Sequence, residues 1–144
     1  MQAEKVRQAV DHLRRLAVST LDSVRMPQAA STDAELLKIA TETLRRPDYG
    51  VGEWLRLVIN SDKVRRERKE GWVRPGTVGA TISLYDYVWD QYQVTTAEKV
   101  GDEVWLFFNT LKYYHSGDPT TPVGRWVLSQ RFESTRILPE NVDK

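Results

Sequence analysis

The chain of 144 residues has no cysteine, which excludes disulfides, thiolate nucleophiles and zinc–sulfur sites. Histidine is nearly as scarce. His12 and His115 stand far apart with no His-x-x-His spacing, so no transition-metal site is expected. No apolar run approaches the roughly 20 residues needed to cross a bilayer, and membrane association is not expected. The opening MQAEKVRQAVDHLRRL mixes charged with apolar residues and lacks the apolar block of a secretory signal. A Gly-rich phosphate loop, a dinucleotide fingerprint and an activated-nucleophile motif are also missing. That argues against kinases, nucleotidases and nucleotide-dependent oxidoreductases, and no cofactor is expected. What is present, 40% apolar and 28% charged residues, fits one globular domain over 1–144, with the cytoplasm as the default compartment.

Charge and aromatic content are unevenly spread. Net charge is +1, but residues 51–76 are mildly basic and residues 77–144 mildly acidic. None of the aromatic residues precedes Tyr49. A helical part over 1–47 is therefore expected to precede a sheet part over 53–138, where Trp, Tyr and Phe favour strands.

The first helix is predicted over Ala3–Val24, with Val6, Val10, Leu13, Ala17, Leu21 and Val24 on one stripe. The second is predicted to start at Thr32, where Thr32-x-x-Glu35 has the spacing of a capping box, and to stop at Pro47. Trp54–Asn60 reads as a strand, with the last turn of a third helix as the alternative. The charged stretch Lys63–Gly71 has no clear assignment, and Pro75-Gly76 marks a turn. Three long strands follow, over Ala80–Thr96, Asp102–His115 and Gly124–Ile137.

Gly101-Asp102 has the composition of a tight hairpin turn. If these are its central residues, Val100 faces Glu103 and Asp90 faces Tyr113, which sorts the side chains by parity. Val88, Asp90, Tyr92 and Val94 then share a face with Trp105, Phe107, Asn109, Leu111, Tyr113 and His115. This more apolar face is assigned to the interior, against the helices, together with Trp126, Leu128 and Phe132 of the last strand. Asp90, Tyr113 and His115 become candidate catalytic residues, with Asp90 as general base, Tyr113 as donor to an oxyanion and His115 orienting or exchanging the proton. Asp86, Trp105, Phe107, Asn109, Trp126 and Gln130 are candidate ligand-binding residues, because a few polar groups in an aromatic concavity describe a small-molecule pocket. A polar cluster that only satisfies itself is the competing reading.

The opposite face groups Trp89 and Tyr114 with Leu106 and Phe108, an apolar patch expected to form a homodimer interface. The Lys63–Lys69 run is broken by Glu67, which argues against nucleic acid and for a solvated edge. Helices followed by an aromatic-rich antiparallel meander resemble the nuclear-transport-factor-two-like superfamily in element order and aromatic content over most of the chain. That resemblance implies a helix-covered cone holding an apolar ligand, sometimes with isomerase, dehydratase or epoxide hydrolase activity, and a dimerising outer face. The expected function is binding of a small apolar or aromatic molecule, with proton-transfer chemistry in the enzymatic version. A protein-interaction module is the alternative.

Overall fold

The computed structural model describes residues 2–73 and 82–144. Helices α1 (Gln2–Asp22) and α2 (Ala34–Leu44) precede strands β1 (Trp54–Ile59), β2 (Arg65–Val73), β3 (Ser83–Val100), β4 (Glu103–Ser116) and β5 (Trp126–Ile137). The fold is α+β, with one antiparallel sheet that does not close. β4 lies between β3 and β5, and the other side of the 18-residue β3 holds both β1 and β2, end to end. The unassigned charged run is thus largely an edge strand, where alternating charge keeps the open side in water. The turn expected at Pro75-Gly76 and the strand start expected at Ala80 lie outside the described residues.

The hairpin turn sets the register that its sequence implies. Gly101 takes φ +65°, a left-handed conformation without steric cost for glycine, and Val100 pairs with Glu103. The same register runs down to Trp89–Tyr114, with Asp90 opposite Tyr113. It then slips between Val88 and Trp89, so that Val88 faces Ser116 and His115 is the extra residue of a bulge.

α2 begins later than the Thr32 box predicts. Asp33 is the cap, its Oδ1 accepting the Leu36 N–H at 3.0 Å. A carboxylate at the positive end of a helix is a stronger cap than the Thr32 hydroxyl. The helix lies on the inner sheet face, where Ala40 and Leu44 pack with Ile59, Tyr92, Val94 and Leu111.

α1 departs from expectation. Val6, Val10 and Leu13 are 62, 40 and 64% exposed, so this part of the stripe does not lie on the sheet. Periodicity identifies an apolar stripe but not what covers it. The helix is tied at its C-terminal end, where Asn141 Nδ2 donates to the Asp22 carbonyl at 2.9 Å. Just beyond, Met26 joins Val58, Ala97, Val104, Leu106, Ile137 and Val142 in a second cluster on the outer sheet face. No helix among the described residues is long and apolar enough to cross a membrane.

β5 changes parity along its length. Trp126 and Leu128 face α2 as expected. Between Leu128 and Gln130 the ladder with β4 slips, and Phe132 pairs with Phe108 on the outer face, 57% exposed.

Candidate functional site

The expected trio does come together at the rim of the inner face. His115 Nε2 lies 2.9 Å from Asp90 Oδ2, and the Tyr113 ring sits 5.1 Å from the imidazole and 5.6 Å from Trp126. His115 makes this contact from the bulged position between Tyr114 and Ser116. Sequence reading missed the dominant partner, Arg66, which β2 places directly across from Asp90. Its Nε and Nη2 donate to the two carboxylate oxygens at 2.8 and 3.2 Å, and Nη2 is 3.0 Å from His115 Nε2. Asp86, four residues earlier on β3, is held by a single bond from the diagonally placed Arg68 Nε at 2.8 Å.

This pairing bears on what the carboxylate can do. The Arg66 hydrogen bonds, with a smaller contribution from His115, hold the Asp90 carboxyl below its usual range against the opposing effect of burial. A carboxylate stabilised in its ionised form is a poorer base. Asp90, 21% exposed at its side chain, therefore belongs to a polar cluster satisfied from within. Asp90→Asn is expected to lower stability at neutral pH by about 1–2 kcal/mol, where an idle base in an apolar pocket would leave it unchanged or raise it. The folded carboxyl titrates below its unfolded value, so its contribution is present above pH ~4 and is lost as pH falls further. Thermal melts of both proteins from pH 7 down to pH 2.5 should therefore converge at the acid end.

Of the remaining expected ligand-binding residues, Trp126 reaches the trio through Tyr113, and the others do not converge on Asp90. Asn109 pairs with Val94, four positions along β3 from Asp90 and about 13 Å at the usual rise. Tyr92 and Leu111, both buried, fill the space between. Asn109 belongs instead to a separate polar network, in which Arg131 Nη1 donates to Asn109 Oδ1 at 2.9 Å and to Glu98 Oε2 at 2.6 Å. The Arg131 guanidinium lies 4.1 Å over Phe107, and Trp105 Nε1 donates to Glu103 Oε2 at 2.9 Å. Trp126 packs edge-on against Tyr92 at 5.2 Å as part of the core. Gln130 is corrected outright: the slip in β5 puts it opposite Thr110 on the outer face, exposed. Among the described residues no group of acidic and histidine side chains could hold a metal ion.

The outer face carries a different arrangement. Trp89 and Tyr114 meet there as the hairpin register requires, with ring centroids 5.9 Å apart and planes tilted by 47°. Leu106, expected in the same exposed patch, is instead buried in the second core cluster, because the chain around Met26 and Val142 covers that end of the face. At the other end, Lys69, Gly71, Tyr87, Trp89, Lys112 and Tyr114 line a groove of about 350 Å³.

Its walls are fixed from behind. Trp89 Nε1 donates to Gln91 Oε1 at 2.8 Å, and Tyr87 donates its hydroxyl to Asp118 Oδ2 at 2.6 Å. That bond, reinforced by burial and by the Asp118 charge, pushes the Tyr87 phenol up to about 12. Asp118 is pulled down in turn, first by the Thr120 hydroxyl and then by Tyr87. Gly71 lets the Tyr87 ring lie flat against β2, since a Cβ there would fall 2.6 Å from a ring carbon. The Lys112 ammonium sits 4.7 Å from the centre of the Trp89 ring. Burial, and secondarily the charge of Lys69, push its pKa down. Neither lysine has an ion pair among the described residues. The parity of β3 and β4 made Trp89, Lys112 and Tyr114 legible as one face. Lys69 and Gly71 were not, because their strand carries charge at nearly every position and shows no period of its own.

Comparison with known protein families, with curated proteins and with solved structures finds no match. The likeness to the nuclear-transport-factor-two-like cone thus rests on element order and aromatic content alone. Residues 51–72, where that architecture would place a helix, hold β1 and most of β2.

Proposed function

We propose that this chain is a binding protein for a small aromatic molecule, held in the outer groove between β2, β3 and β4. The observation that carries this reading is the groove itself, walled by Tyr87, Trp89 and Tyr114 and flanked by two lysines that have no ion pair among the described residues. Aromatic walls locked by hydrogen bonds are preorganised, so little rotamer freedom is lost when a flat ligand settles on them. Proton transfer by Asp90, Tyr113 and His115 has less support, because Arg66 already neutralises the proposed base. Binding on the inner face has less support too, since α2 and Tyr92 occupy its centre.

The test is an amide NMR titration of the labelled protein with 2-naphthoate and with 2-naphthalenemethanol. Shift changes grouped at Lys69–Gly71, Tyr87–Trp89 and Lys112–Tyr114 are the expected result. Changes centred on Asp90 and Trp126 would return the site to the inner face, and no changes with either compound would end the reading.

A further inference from the structure

Taking that reading of the groove as its basis, we propose that the ligand is an anion: one or two fused rings seated against Trp89 and Tyr114, with a carboxylate or phosphate between Lys69 and Lys112. Three observations converge on this class. First, the half-buried Lys112 ammonium rests on the Trp89 ring and, like Lys69, has no carboxylate partner among the described residues. Second, among the described residues no acid pairs with either lysine. Asp118 already accepts from Tyr87, from the Thr120 hydroxyl and from the Thr120 amide. Glu67, paired with Trp89 across the strands, is exposed and does not line the groove. Third, the volume of about 350 Å³ lies at the small end of ligand pockets, which suits a compact ring system. An anion here would relieve the repulsion between two lysines and supply an acceptor to the partly desolvated Lys112 ammonium, which has none among the described residues. A neutral ring would leave both costs in place.

Calorimetric titration compares 2-naphthoate, 2-naphthyl phosphate and 2-naphthalenemethanol, which share a ring system and differ in charge. The acids are expected to bind at least about tenfold tighter than the alcohol. Lys112→Met and, separately, Lys69→Met should each reduce that preference to roughly threefold or less. Lys69 lies on the exposed edge strand, so its variant keeps the test open if Lys112→Met misfolds. The tighter of the two acids identifies carboxylate or phosphate as the natural group. Equal affinity for alcohol and acids overturns the anion while leaving the groove intact, as does a preference that survives both lysine replacements. Absence of binding by all three compounds overturns the groove reading itself.

Discussion

Replacing Arg131 by methionine is expected to destabilise the protein by about 3–5 kcal/mol, because it strands a buried carboxylate. Glu98 is only 1% exposed. Arg131 reaches it with two nitrogens, Nη2 at 2.5 Å and Nη1 at 2.6 Å. The Gly52 N–H at 3.0 Å and the Thr96 hydroxyl at 2.5 Å complete the carboxylate's shell. These two neutral donors do not balance a full charge in so dry a place. Urea unfolding of Arg131→Met and of the double variant Glu98→Leu/Arg131→Met separates the possibilities. The double variant should recover most of the loss, since removing both charges also removes their desolvation cost. A single-variant loss below about 1 kcal/mol would mean that water reaches the pair and that it behaves as a surface bridge.

This network also marks how far the sequence could be read. Glu98 has the parity of Val94 and Tyr92, so the hairpin rule already places it on the inner face. It went unnoticed because it stands near a strand end, next to Lys99, where charge is ordinary. Arg131 was beyond reach for a different reason. Strict alternation from Trp126 sends it outward, and only the slip between Leu128 and Gln130 turns it in toward Asn109. The same slip moved Gln130 and Phe132 to the outer face. Parity carries along a strand, and one inserted residue inverts every position up to the next irregularity, which in β5 comes before Arg136.

Where a local signal has a local cause, sequence and structure agree. The Gly101-Asp102 turn needs no tertiary context, and it fixed the pairing of Asp90 with Tyr113 and of Trp89 with Tyr114. Pairing between strands distant in sequence has no such signature. β2 could not be docked on β3 from its charges alone, so Arg66 was not foreseen beside Asp90, nor Lys69 beside Trp89. Both features behind the proposed function come from that one strand. It neutralises the expected catalytic carboxylate on one face and completes a cationic groove on the other.

Truncating Tyr92 to alanine should cost about 3–5 kcal/mol, the range for removing a large aromatic from a packed core. Tyr92 is 1% exposed, touches Trp126 edge-on and donates its hydroxyl to the Leu36 carbonyl of α2 at 2.6 Å. Tyr92→Phe keeps the ring and deletes that single bond, with an expected loss of about 1 kcal/mol. Its effect should be local: hydrogen exchange should accelerate in α2 while β3 and β4 stay protected. Naphthoate affinity in Tyr92→Phe then separates the two faces of the sheet. A ligand in the outer groove, out of contact with α2, should bind the variant as tightly as the parent. If affinity falls together with the protection of α2, the ligand lies beneath the helix, and the inner face rather than the lysine-flanked groove is the binding site.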